Sequence, residues 1–233
     1  MLPPSSNKGC VVKVDLVIFD CDGVIADSEI LSAEVLIEQL AAEGLALSAE
    51  DVRRDFLGRS FPTVAETIRR RHDRALPPGF EADYRSRLLS RFETELRPTP
   101  GFARMIEALD RPVCVATSSS RPRVNKTLEI LGLTAFFNAD VFTASQVERG
   151  KPAPDLFLFA ARRMGVPPPA CLVVEDSAPG LQAAAAAGMP HLHYTGGSHL
   201  SGAGPGDGPT ESFDNWADFA HLLMRLEEGQ ARP

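Results

Sequence analysis

The chain has 233 residues, 44% of them hydrophobic, enough to bury one sizeable core or two unequal ones without covalent staples. A formal net charge of -7 removes any electrostatic reason for a nucleic-acid partner, and no apolar run approaches the roughly 20 residues of a membrane helix. The four cysteines, Cys10, Cys21, Cys114 and Cys171, form no CxxC pair and fall mostly in apolar runs, so they read as core thiols in a reducing cytoplasm rather than as disulfides or zinc ligands.

Met1 to Lys8 has no basic-then-apolar leader pattern and reads as a frayed tail. Val11 to Phe19 is short, apolar and rich in branched residues, the pattern of a strand buried on both faces. From Ser28 to Leu96 only helical patterns occur. Ser28 to Glu43 is the first, Ser48 is an N-cap for the next, Thr63-Val-Ala-Glu66 matches a capping box, and Tyr84, Leu88 and Phe92 fall on one helix face. Beyond Pro100 strands and helices alternate. Helices are predicted over Phe102–Leu109, Pro122–Leu131, Asp155–Met164 and Leu181–Ala187, the last three closed by Gly132, Gly165 and Gly188. Strands are predicted over Pro112–Thr117, Asp140–Thr143, Cys171–Val174 and His191–Tyr194. Gly196 to Gly208 reads as a loop, and Trp216 to Leu226 as a closing helix. The fold class is α/β, a doubly wound parallel sheet with a helical insert after the first strand, above the edge where such sheets bind ligands.

Four strand ends carry chemistry-bearing residues. After the first come Asp20 and Asp22, two carboxylates two residues apart. Asp20 can attack phosphorus to form an aspartyl-phosphate, Asp22 can protonate the leaving oxygen and later deprotonate water, and a divalent cation must offset the charge. After the second, Ala116-Thr117-Ser118-Ser119-Ser120 offers a hydroxyl and backbone N–H groups as a phosphate cradle; simple helix capping is the alternative. Lys151, in Gly150-Lys-Pro-Ala-Pro154, can pair with phosphate and Asp20. After the fourth, Glu175 and Asp176 suit a hard cation that wants oxygen ligands. Each is weak alone. Together and in this order they equip a site for phosphoryl transfer through aspartate.

The stretches FDCDGVIADS, VATSSS, GKPAPDLF and VVEDSAPGLQAA resemble the haloacid dehalogenase superfamily, specifically its helical-cap phosphatases and phosphomutases, over nearly the whole chain. The resemblance implies a core over residues 10–25 and 97–230 and a mobile cap over 26–96. It implies Asp20 as nucleophile and Mg²⁺ ligand, and Asp22 as acid/base with its main-chain oxygen on the metal. Thr117 and the Ser118 N–H would bind phosphate, Lys151 would balance charge, and Asp176 would complete the ligands, with Glu175 ligating directly or through water. Dehalogenases lack the second aspartate, so dehalogenation is disfavoured.

Beta-phosphoglucomutases place a histidine where Ser32 stands here and an arginine near Phe61; neither is present. Hydrolysis of a small phosphomonoester, a sugar or sugar-acid phosphate, is therefore the expected reaction. An isomerase that returns the phosphoryl group, and a non-enzymatic phospho-aspartate switch, are the alternatives. Arg59, after Gly58 in the cap, is a candidate substrate contact or a solvated charge. Arg69 to Arg71 read as a solvated helix end. His191, His193 and His199 are not expected to form a metal site, because an oxygen-ligand site is already assigned. Neither the exact substrate nor the oligomeric state is legible.

Overall fold

The computed structural model describes residues 13–56, 58–137, 140–201 and 210–229. Cys10, the tail before it, the first two residues of the first predicted strand and most of the Gly-rich loop lie outside that set. β1 spans Leu16–Phe19. Four helices follow: α1 (Glu29–Ala42), α2 (Ala49–Asp55), α3 (Phe61–His72) and α4 (Phe80–Glu95). Then come α5 (Phe102–Ala108), β2 (Val113–Thr117), α6 (Arg121–Ile130), α7 (Thr134–Phe137) and β3 (Val141–Thr143). The chain closes with α8 (Asp155–Met164), β4 (Cys171–Glu175), α9 (Ala178–Ala186), β5 (His191–Tyr194), β6 (Ser212–Phe213) and α10 (Phe219–Glu227).

The six strands form one parallel sheet in the order β3-β2-β1-β4-β5-β6. β1 is central, with Phe19 beside Val115 of β2 and Val174 of β4. Alternation along β1 splits the core. Val17 and Phe19 face a cluster with Phe102 of α5, Val124 of α6 and Phe219 of α10. Leu16 and Ile18 face Leu156 and Phe157 of α8 and Ala183 of α9. Both faces are covered, which is why β1 reads as a continuous apolar run. Strand order reverses direction between β1 and β4, and a crevice opens at such a reversal.

The helical stretch builds a third apolar cluster around Leu40, Val52, Ile68, Leu88 and Phe92. It leaves and rejoins the sheet through paired chain segments. Ala26 bridges Pro98, the Asp27 N–H donates to the Arg97 carbonyl at 3.0 Å, and Thr99 N–H donates to Ile25 at 2.9 Å.

Several expected boundaries move. The Thr63–Glu66 capping box does not form. Phe61-Pro62 starts α3 three residues earlier, with Ser60 rather than Thr63 as N-cap, since proline suits the first turn, and Glu66 pairs instead with Arg69 at 2.7 Å. α9 begins at Ala178, because the Ser177 hydroxyl accepts from Gly180 N–H at 3.2 Å and Pro179 fits the first turn. The closing helix begins with a tight turn over Trp216–Asp218 before α10. The two-residue β6 is too short to show a periodicity.

Candidate active site

Asp20 directly follows β1, and its N–H donates to the Val174 carbonyl of β4 at 3.0 Å, so the adjoining strand fixes the residue's height. Glu175 ends β4 next door, and Asp176 follows it. Carboxylate oxygens of Asp20, Glu175 and Asp176 lie within 4.8 Å of one another, all three buried. Lys151 reaches into this group. Its ammonium donates to Asp20 Oδ1 at 2.6 Å, Glu175 Oε1 at 2.6 Å and the Ala116 carbonyl at 3.0 Å. The other Glu175 oxygen accepts from the Ser177 N–H and hydroxyl at 2.7 and 2.9 Å.

Burial pushes the Asp20 carboxyl well above the usual carboxylate range, because the attraction of Lys151 does not offset desolvation plus the neighbouring carboxylates. Asp176 is raised well for the same reasons. Burial alone would discharge Lys151, but Asp20 and Glu175 overcome it and keep the ammonium charged. Three clustered carboxylates with one balancing cation are short of positive charge. An all-oxygen donor set of this kind fits Mg²⁺, whose site Asp20, Asp176 and Glu175 would supply.

Asp22 lies on the other side of Asp20, in the turn that Gly23 makes with a φ of 82°. A Cβ at Gly23 would collide with the Asp176 carboxylate, so glycine lets the first and fourth loops meet. Asp22 Oδ1 accepts from the Ser28 hydroxyl at 2.6 Å and the Arg123 guanidinium at 2.6 Å, and Oδ2 accepts from the Ser119 hydroxyl at 2.5 Å. Burial works against this carboxylate, yet Arg123 and the two hydroxyls hold it below its usual range. Thr117, at the end of β2, accepts from the Ser119 N–H at 3.0 Å, which shapes the Thr117–Ser120 turn.

Asp20, Asp22, Thr117, Ser118 and Arg59 line one cleft together with Glu29, Ser32, Tyr84, Arg85 and Arg123. Lys151 lines the adjoining recess with Ser118. Arg59 stands exposed at the cleft margin. His199 Nε2 lies 2.9 Å from Asp176 Oδ2, and His193 Nε2 lies 3.1 Å from the Asp176 carbonyl oxygen. No sequence pattern singles out Glu29, Arg85 or Arg123 as site residues, and His199 is weighed there only as a metal ligand. Each sits on a helix or loop whose sequence carries only an ordinary polar residue, and no motif flags it.

A parallel α/β sheet with a helical insert over an acid-lined crevice places the chain in the capped α/β class. A family model described as haloacid dehalogenase-like hydrolase matches residues 14–188. The chain is 27% identical over 189 residues to the 6-phosphogluconate phosphatase of Escherichia coli, spanning 80% of this chain and 85% of the relative. It is 35% identical over 180 residues to the fructose-1-phosphate phosphatase of Escherichia coli, spanning 74% of this chain and 92% of the relative. Among solved structures, a haloacid dehalogenase family hydrolase from Deinococcus radiodurans with bound phosphate and sodium is similar, with a TM-score of 0.69, 32% identity, and 92% of this chain and 97% of that one covered. The chain belongs to the haloacid dehalogenase-like hydrolases, in their helical-cap branch, and is a phosphoric monoester hydrolase. No helix among the described residues is long and apolar enough to cross a membrane.

Proposed function

We propose that this protein hydrolyses a small sugar or sugar-acid phosphate to alcohol and inorganic phosphate, through a phosphoryl group carried on Asp20. The supporting observation is the placement of Asp20 beside a lysine that holds Oδ1 at 2.6 Å and in one cleft with a second aspartate, Asp22. The relatives named for 6-phosphogluconate and fructose 1-phosphate support the substrate class.

In this reading the Asp20 carboxylate attacks phosphorus while the bond to the substrate oxygen breaks. Asp22, which must first take up a proton against the pull of Arg123, delivers it to that oxygen. It then takes a proton from water, the water oxygen attacks phosphorus, and the bond to Asp20 breaks to release phosphate. Thr117 and the Ser118 N–H bind the phosphoryl oxygens, and Lys151 balances their charge. Bound Mg²⁺, held by Asp20, Asp176 and the Asp22 carbonyl, supplies charge neutralisation between carboxylate and phosphate. Glu175, whose oxygens accept from Lys151 and Ser177, would serve that cation directly or through water. Residues 26–96 act as the cap over a core of 10–25 and 97–230, and Arg59 contacts substrate at the cleft margin. The buried free thiols of Cys21, Cys114 and Cys171 accord with a reducing cytoplasm.

The test is phosphate release across a set of phosphorylated metabolites, ranked by kcat/KM. Asp20→Asn should lose at least about a thousandfold on the best of them. Residual turnover within tenfold of the natural protein would remove Asp20 from the mechanism. Isomeric sugar phosphate formed faster than inorganic phosphate would move the protein to the phosphomutases.

A further inference from the structure

Arg123 is the third residue of α6, on the core side of the cleft, and its side chain is 15% exposed. One guanidinium nitrogen, Nη2, donates to Asp22 Oδ1 at 2.6 Å and to the Ser32 hydroxyl at 3.0 Å. The guanidinium also lies over the Phe92 ring, 5.5 Å from its centroid. Ser32 belongs to α1 and Phe92 to α4, so one core side chain touches the acid/base carboxylate and two helices of the insert at once.

This is an expensive arrangement if stability were its purpose. A buried ion pair rarely repays its desolvation, and the Arg123 Nε is buried without a partner. What the arrangement does provide is placement. Asp22 has three donors: the Ser28 hydroxyl at the N-cap of α1, the Ser119 hydroxyl on the Thr117–Ser120 turn, and Arg123. Arg123 is the core donor among them that also touches the insert, at Ser32 and Phe92. Without the ring of Phe92 beneath it and Ser32 beside it, the guanidinium loses two of the contacts that aim it.

We infer that Arg123 is a positioning residue. It holds the Asp22 carboxylate toward the leaving-group oxygen, and the insert, through Ser32 and Phe92, sets whether it does so. The inference rests on the reading of Asp22 as acid/base. A proton donor must sit within about 2.6–3.2 Å of the oxygen it serves, and a displacement near 1 Å costs about 100-fold.

The experiment compares phenyl phosphate with p-nitrophenyl phosphate on the magnesium-loaded protein. The two esters share a shape, but phenolate, a base of pKa about 10 like the tyrosine side chain, needs its proton far more. The ratio kcat/KM covers the steps up to departure of the leaving group. Arg123→Gln should lose about 10- to 100-fold on phenyl phosphate and several-fold less on p-nitrophenyl phosphate. Arg123→Lys should recover part of the selective loss. In an Asp22→Asn background Arg123→Gln should add no further selective loss. Ser32→Ala, which removes only the cap end of the link, should show a smaller selective loss of about 2- to 5-fold.

Equal losses on both esters, or a full selective loss added to that of Asp22→Asn, would overturn the inference. If Arg123→Gln fails to fold, Arg123→Lys and Ser32→Ala carry the same comparison, and absence of selectivity in both overturns it. Asp22→Asn measured alone keeps the two failures apart. If it shows no preference between the esters, the acid/base reading of Asp22 falls.

Discussion

Glu29 opens α1, lines the cleft beside Asp22, and is buried. Burial, followed by the fields of Asp22 and Asp176, pushes its carboxyl up to about 8 from 4.5. A carboxyl raised on folding stays protonated in the folded protein while the unfolded chain releases its proton. Below pH 4.5 both states hold the proton and nothing is lost; stability then falls as pH rises toward 8, and is level beyond. Glu29→Gln should therefore raise the melting temperature of the metal-free protein little at pH 5 and most at pH 8, by the equivalent of a few kcal/mol at the upper limit. A difference that does not grow with pH would place the Glu29 carboxyl in a solvated setting. The same residue marks the limit of what the chain's letters convey. Asp20, Asp22, Thr117 and Asp176 were legible because each falls at or just past a strand end, where the main chain alone brings residues together, and Lys151 because it stands in a proline-stiffened loop between β3 and α8. Glu29 and Arg123 enter the cleft through the angle at which a helix lies on the sheet. Helix packing sets that angle, and no local pattern encodes it.

The turn into α9 shows how closely the elements meet at the site. A Cβ on Gly180 would strike the Glu175 carboxylate, although the backbone there has no positive φ. Alanine favours helix over glycine by about 1 kcal/mol, so a helix free of neighbours would gain from the change. Here the added methyl must displace Glu175 from Lys151 and Ser177. Gly180→Ala is expected to destabilise by about 1–3 kcal/mol in urea unfolding and to lower phosphate release. A gain in stability would mean that Glu175 moves aside freely. Element boundaries were legible where a residue type enforces them. Gly132, Gly165 and Gly188 end their helices with φ of 69°, 71° and 68°. The start of α3 was misread because Thr63 and Glu66 satisfy a capping pattern that Pro62 pre-empts. The two-residue β6 escaped because its pairing with β5 depends on the sheet already being there.

Across the whole molecule, the acidic cluster joins loops from β1 and β4, so a cation held there fastens the two strands at the fold's centre. Mg²⁺ at about 100 times its dissociation constant should stabilise the folded state by about 2.7 kcal/mol, seen as a higher melting temperature. Excess EDTA should reverse that shift and stop turnover, and Ca²⁺ should restore the shift better than the turnover. Full turnover after dialysis against EDTA would rule out a metal-dependent reaction. The central place of β1 also bears on how the chain is made. Val17 pairs with Val113 on one side and Leu172 on the other. As the chain leaves the ribosome, the whole helical insert emerges before either partner exists. α1 to α4 can gather around Leu40, Leu88 and Phe92 at once, because their contacts are close in sequence. Leu16 to Phe19, apolar throughout, must wait with both edges open until β2 is made, and with one edge open until β4 follows. Slowing translation should leave the insert unaffected while lengthening the interval in which that strand is exposed to other chains.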